Sequence, residues 1–224
     1  MRKPLLIACA ALLSSCQAFG PEDRAPSHAE LFGHAGELTG WQILGGADFQ
    51  TAMSQDEGME GSMVLTGHAE NLPRNSFLVS DAEYGDFELL VDVRIEAGGN
   101  SGVQIRSHVD WNAQAGHGRL WGYQIEIDPS ERAWSAGLYD EGRRGWLADL
   151  KDNPAAREAF VVGEWNTYRI LCEGARIRTW VNGVPAVDYT DEGEDLTLAG
   201  HFAFQVHSGE RSHVEWRNPR IEVR

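Results

Sequence analysis

The sequence predicts an all-β chain folded as a two-sheet sandwich of jelly-roll type, and three observations carry that expectation. Beyond the N-terminal segment the dominant hydrophobic period is two, as in half-buried antiparallel strands. Turn signals, drawn from 25 glycines, separate the alternating runs. About a dozen such runs accompany almost no helical pattern, which suits packed sheets rather than α/β layers.

The N-terminus is a separate matter. Arg2 and Lys3 precede an apolar run, Pro4 to Leu13, too short to span a bilayer. Leu13-Ser14-Ser15-Cys16 resembles a bacterial lipobox, the alternative being an ordinary secretory signal with a chance cysteine. The lipobox reading makes residues 1–16 a lipoprotein signal with Cys16 as the lipidated residue. Residues 17–30 become a tether and 31–224 a single jelly-roll domain. The protein is then expected to be exported and membrane-anchored through lipid alone, facing the periplasm or cell exterior. Removal of Arg2 and Lys3 takes the formal charge from −15 to −17. Such an acidic surface argues against nucleic acid and anionic lipid as partners. With Cys9 removed and Cys16 lipidated, only Cys172 remains, so no internal disulfide framework is possible. Cys172 ends the apolar strand Tyr168 to Cys172 and reads as a small core residue.

The elements follow in order. Phe87, Leu89, Val91, Val93 and Ile95 alternate with Glu88, Leu90, Asp92, Arg94 and Glu96. In Ser101 to Ser107, Val103 and Ile105 oppose Gly102, Gln104 and Arg106. In Gly122 to Asp128, Tyr123, Ile125 and Ile127 oppose Gln124, Glu126 and Asp128. Asn153 to Phe160 alone looks helical. Glu173-Gly174 and Asn182-Gly183 are hairpin signals flanking Ile177, Thr179 and Val181, since Asn-Gly tolerates positive φ at both positions. In His201 to His207 the phenylalanines Phe202 and Phe204 oppose His201, Ala203, Gln205 and His207.

Each apolar set must face the space between the sheets, which sends the opposite sets to an outer face. If these strands share one sheet, that face collects Gln104, Arg106, Gln124, Glu126, Gln205 and His207. A polar outer face is usual in any sandwich. This one, however, uses Gln, His and Arg, and Gly98-Gly99-Asn100 and Gly102 permit close approach of a ligand or of backbone. The loops carry Trp111, Trp121, Trp134 and Trp146, while Trp41 and Trp165 read as packing residues. Carboxylates, amides, guanidiniums and flat rings are the groups that hold a polyhydroxylated ligand. Substrate contacts are expected from Gln104, Gln124 and Gln205, with Trp134, Tyr139 and Arg143 at the rim.

Seven segments stand in order along the chain: Tyr84-Gly85-Asp86-Phe87-Glu88, Gly99-Asn100-Ser101-Gly102-Val103, Gly122-Tyr123-Gln124-Ile125-Glu126-Ile127-Asp128, Gly163-Glu164-Trp165-Asn166, Trp180-Val181-Asn182-Gly183, His201 to His207 and Val214-Glu215-Trp216-Arg217-Asn218. Together they resemble the 3-keto-disaccharide hydrolase domain family, also described as 3-keto-glucoside 1,2-lyase and 3-keto-2-hydroxy-glucal hydratase. The likeness runs from Leu38 to Arg224. It implies a concanavalin A-like jelly roll acting on sugars oxidised at C3. Many members read Glu-x-Gln where this chain has Gln124-x-Glu126, which moves the carboxylate by about 7 Å along one face of the strand.

A C3 ketone acidifies the C2 proton and makes the glycosidic oxygen a β leaving group. Cleavage by elimination then needs a base near C2, a partner for the enolate oxygen and an acid for the leaving oxygen. The resemblance points to Glu126 or His207 as base, and to Arg106 or a divalent metal as the electrostatic partner. Glu126, Asp128 and His207 are the candidate metal ligands, although no His-x-His or His-Glu-x-x-His motif is present. The competing reading is a non-catalytic carbohydrate-binding module on the cell envelope.

Overall fold

The computed structural model describes residues 32, 35–57, 61–113 and 118–224. The leader, Cys16 and the tether lie outside these residues. The first strands are β1 (Trp41–Leu44), β2 (Asp48–Met53), β3 (Met63–Leu72), β4 (Ser76–Tyr84) and β5 (Phe87–Ile95). Next come β6 (Ser101–Asp110), β7 (Arg119–Ile127), β8 (Leu138–Glu141) and β9 (Gly145–Ala148). A helix at Pro154–Ala159 precedes β10 (Asn166–Glu173), β11 (Arg176–Val181), β12 (Val184–Thr190), β13 (Gly200–Val206) and β14 (Gly209–Val223). They form two antiparallel seven-stranded sheets, ordered β1-β4-β13-β6-β7-β8-β9 and β12-β11-β10-β5-β14-β3-β2. This is the two-sheet jelly roll that the alternation predicts.

The predicted parities build the core. Val103, Ile105, Tyr123, Ile125, Ile127, Phe202 and Phe204 of the first sheet meet Phe87 to Ile95, Tyr168, Ile170, Cys172 and Trp216 of the second. Burial pushes the Cys172 thiol up to about 12, so it packs as an inert apolar group. The helix is short because Pro154 opens it and Asn153 caps it, its side chain accepting from the Ala156 amide at 3.2 Å. At the β11–β12 hairpin Asn182 and Gly183 adopt φ of 49° and 79°, the left-handed pair a two-residue turn requires.

The outer faces of the two sheets differ. On the second, cross-strand ion pairs such as Arg94–Glu215 at 2.7 Å and Arg169–Glu88 at 2.6 Å satisfy partly exposed charges. Arg217 and Arg169 also lie 4.0 and 4.2 Å over Trp165 and Trp180. That is an ordinary solvated face. On the first sheet, by contrast, Gln104, Gln124, Glu126 and Gln205 are buried without forming such a ladder.

One residue leaves the expected face. Arg106 has φ of 46°, and the β6–β7 register shifts between Ile105 and His108. A bulge of one residue inverts everything that follows. Glycines accommodate it on both neighbouring strands. A Cβ on Gly200 would lie 2.6 Å from the Arg106 carbonyl carbon, and one on Gly122 would lie 2.5 Å from Ser107 Oγ. Arg106 therefore turns away from the polar face and is fully buried. Its guanidinium donates to the carbonyls of Gly85 at 2.8 Å and Gly174 at 2.6 Å, and to Asp86 Oδ1 at 2.8 Å. It clamps the β4–β5 and β10–β11 turns together.

Candidate active site

The remaining polar residues converge. Register places Gln104 opposite Gln124, Gly102 opposite Glu126, Tyr139 opposite Gln124, and Glu141 opposite Gly122. Directly opposed residues share a face, so β6, β7 and β8 deliver these side chains to one patch. Gln205 reaches it from β13 and His207 from just beyond. Asn75, Asn100, Arg132 and Trp146 complete a cleft of about 290 Å³.

A fan of amides forms its floor. Gln104 and Gln205 both donate to Gln124 Oε1, the latter at 2.8 Å, and Gln124 Nε2 donates to Glu126 Oε2 at 2.8 Å. Gly102, expected to admit a ligand, instead makes room for this fan: a Cβ there would lie 2.5 Å from Gln124 Cδ. Gln205 is fully buried, yet its Oε1 has no hydrogen-bond partner. An orphaned buried acceptor costs about 1–3 kcal/mol, so a donor from a ligand is favoured there.

Glu126 Oε1 accepts from Asn100 Nδ2 at 2.8 Å and from Arg132 Nη2 at 3.1 Å. Burial raises its pKa above the ordinary carboxylate range, against the pull of Asn100, Gln124 and Arg132. Burial also raises the pKa of Glu141, opposed by a 3.5 Å hydrogen bond from Asn75 Nδ2 and by the field of His207. Two carboxylates thus share one cleft, and the three donors around Glu126 favour its ionised form more than the single long bond favours that of Glu141. His207 Nδ1 lies 2.8 Å from the Ser208 carbonyl, which can only accept. The proton therefore sits on Nδ1, and Nε2 keeps its lone pair in the neutral ring.

Several expected site residues are elsewhere. Arg106 is the clamp already described. Asp128 holds the β7–β8 loop: its carboxylate accepts from the Ser130 and Trp134 amides at 3.1 and 3.2 Å and from Arg132 Nε at 2.7 Å. These bonds outweigh burial, the largest opposing effect, and lower its pKa. Trp134 stands behind Trp146, edge to face at 4.8 Å, so Trp146 is the ring that lines the cleft. Arg143 points the other way, over Tyr123 at 5.4 Å, with Nε bonded to Asp140 and Nη1 to the Asp195 carbonyl. Asp140 pairs with Tyr123 rather than with Gln124, so Asp140 and the Arg143 bound to it lie off the face that carries the cleft.

Sequence reasoning missed Glu141 and Arg132. Glu141 shares parity with Tyr139, two residues before it on β8. Arg132 replaces Arg106 as the guanidinium of the site, braced 5.0 and 5.1 Å over Trp134 and Trp146. Among the described residues no three His, Cys, Asp or Glu side chains form a metal-binding group. Glu126, Asp128 and His207 therefore do not form a metal site.

Fold and cleft together define a jelly-roll protein with an amide-rich polar cleft on the outer face of one sheet. The chain belongs to the 3-keto-alpha-glucoside-1,2-lyase-like domain family, whose model matches residues 28–222. This is the family that the sequence resembles, and it places the chain among carbohydrate-active domains. No curated protein matches the chain. Among solved structures, carbohydrate binding module CBM66 from Bacillus subtilis is similar at 19% identity and TM-score 0.54, with 82% of this chain and 96% of that one covered. A galectin-like protein of unknown function from Bacillus subtilis shares 14% identity at TM-score 0.57, with 81% and 88% covered. A putative glycosyl hydrolase from Parabacteroides distasonis shares 19% identity at TM-score 0.52, with 82% and 99% covered. At such identities the likeness concerns the fold.

Proposed function

We propose that the protein cleaves 3-keto-glycosides by β-elimination and then hydrates the product, giving net hydrolysis. The observation that carries this reading is the pairing of two carboxylates of raised pKa, Glu126 and Glu141, in one cleft with His207 and Arg132. Ionised Glu126 takes the C2 proton. The negative charge leaving Glu126 reappears on the C3 oxygen, and Arg132, already beside that carboxylate, stays next to it. As the C1–C2 double bond forms, the C1–O bond breaks and the leaving oxygen takes the proton of Glu141. Water then adds to C1 and gives a proton to His207 Nε2. Glu126 returns its proton to C2, and proton transfer from His207 restores Glu141. The orphaned acceptor on Gln205 and the edge-braced Trp146 suit a sugar's hydroxyls and C–H face.

The test is a 3-keto-glucoside incubated in D₂O. Deuterium at C2 together with released aglycone is the expected result. Binding of the sugar with neither event would establish the alternative, a carbohydrate-binding module, which the likeness to one such module keeps in view.

Glu141→Gln separates the steps. It is expected to keep C2 exchange while slowing release of a poor leaving group by about 10²-fold or more. Because the Glu141 pKa is raised, its favourable contribution is present at low pH and is lost as pH rises through the folded value. The melting temperature of Glu141→Gln should therefore exceed that of wild type increasingly as pH rises from the ordinary carboxylate range to pH 8. Equal melting curves at every pH would remove the buried-acid assignment.

A further inference from the structure

One side chain of the cleft takes part in no step of the proposed reaction. Tyr139 lines the cleft from β8, opposite Gln124 of β7. Glu141 follows two residues along the same strand face, about 7 Å away. Glu126, two residues beyond Gln124, is the diagonal neighbour of Tyr139 across the β7–β8 pair, at a similar spacing. The phenol therefore has a carboxylate on either side, and it feels the fields of both.

Its hydroxyl sets it apart from those of the core tyrosines. Tyr123 and Tyr168 commit theirs within the protein, to Asp191 and to the Glu126 carbonyl. No described residue bonds to the hydroxyl of Tyr139, although its ring is braced edge-on against Trp146 at 5.2 Å. A tyrosine that is partly buried normally finds a partner for its O–H. Burial, and then the fields of Glu141, Glu126 and Asp140, raise the pKa of this phenol, so it stays protonated and remains a donor.

The proposed reaction gives that donor an address. Glu126 meets the proton on C2, and Glu141 meets the oxygen on C1. A donor between them faces the C1–C2 bond. C1 carries the glycosidic and ring oxygens, so the only hydroxyl on that bond is the one at C2. We infer that Tyr139 donates a hydrogen bond to the substrate's C2 hydroxyl and selects 3-keto-glycosides that bear it over 2-deoxy sugars. The inference rests on the proposed elimination for the orientation of the sugar. The braced ring and the unpartnered hydroxyl are independent of it. Held by its oxygen, C2 presents its hydrogen to Glu126.

Tyr139→Phe removes one oxygen and keeps the ring against Trp146, so its melting temperature should match that of wild type. The substrates are methyl 3-keto-glucoside and its 2-deoxy analogue, offered to the full-length protein. A C2 hydroxyl also changes the acidity of the C2 proton, so the decisive quantity is how the substitution alters the preference between the two sugars. Tyr139→Phe should lose about 10-fold or more in kcat/KM on the hydroxyl-bearing sugar and stay within about twofold on the 2-deoxy sugar. Equal losses on both, as a purely structural role would give, or no loss on either, would overturn the contact. If wild type cleaves only the hydroxyl-bearing sugar, or neither, calorimetry with methyl glucoside and its 2-deoxy analogue decides instead. A preference of about 10-fold or more for the hydroxyl-bearing sugar that Tyr139→Phe abolishes supports the contact. No binding, or a preference that the substitution leaves unchanged, overturns it. Cleavage of neither sugar counts against the proposed function alone.

Discussion

Glu126→Gln is expected to slow aglycone release by about 10²- to 10⁴-fold, the usual range for loss of a positioned general base. Deuterium exchange at C2 should fall by the same factor, because the substitution acts on the first step. That separates it from Glu141→Gln, for which exchange continues. The fold should survive, since Glu126 lies outside the intersheet core and glutamine is isosteric. Asn100 and Arg132 can still donate to the remaining oxygen. C2 exchange at the wild-type rate in the variant would exclude Glu126 as the base and shift that role to His207 Nε2. The exchanged order Gln124-x-Glu126 also gains a physical reading. Gln104 and Gln205 aim donors at the side-chain oxygen of residue 124, an arrangement that would equally receive a carboxylate there. The amide floor accommodates both orders, and the order decides which end of the cleft holds the carboxylate.

Arg106→Ala is expected to damage stability rather than chemistry. Removing the guanidinium breaks three hydrogen bonds, two of them to backbone carbonyls of turns in different parts of the sandwich. Asp86 is 43% exposed at its side chain, so little of the loss comes from the ion pair itself. The buried charge-assisted bonds and the orphaned carbonyls make the cost about 3 kcal/mol. For a domain of this size that corresponds to a melting temperature lower by roughly 6–12 °C. Well below the transition, kcat/KM should remain within a few-fold of wild type. An unchanged melting temperature with lost turnover would return Arg106 to the site and displace Arg132 from it.

The difference between these two residues shows where sequence reading reaches its limit. Gln104, Gln124, Glu126 and Gln205 were legible because alternation along an unbroken strand is a local property. Arg106 has the same nominal parity, yet a single bulge reverses it, and the residue in the left-handed conformation is an arginine rather than a glycine. Gly200 and Gly122, which make room for the bulge, lie on other strands and say nothing alone. Asp128 and Trp134 were misplaced for a related reason. Strand parity ends at Ile127, and the path of the loop beyond it depends on the bonds that the Asp128 carboxylate makes with that loop. Glu141 required the β7–β8 register, a pairing between residues far enough apart that either strand alone leaves it undefined.

By itself, then, the sequence determined the fold class, the inward and outward faces of the main strands, the core role of Cys172 and membership of the family. Each rests on period-two alternation, turn chemistry or an ordered set of short motifs, all readable along one chain. Tertiary structure decided which side chains meet: Glu126 with Glu141, Arg132 in place of Arg106, and Trp146 in front of Trp134. The physical reason is that a strand's parity is set by its own backbone, whereas distances across a sheet depend on register, bulges and the loops between strands.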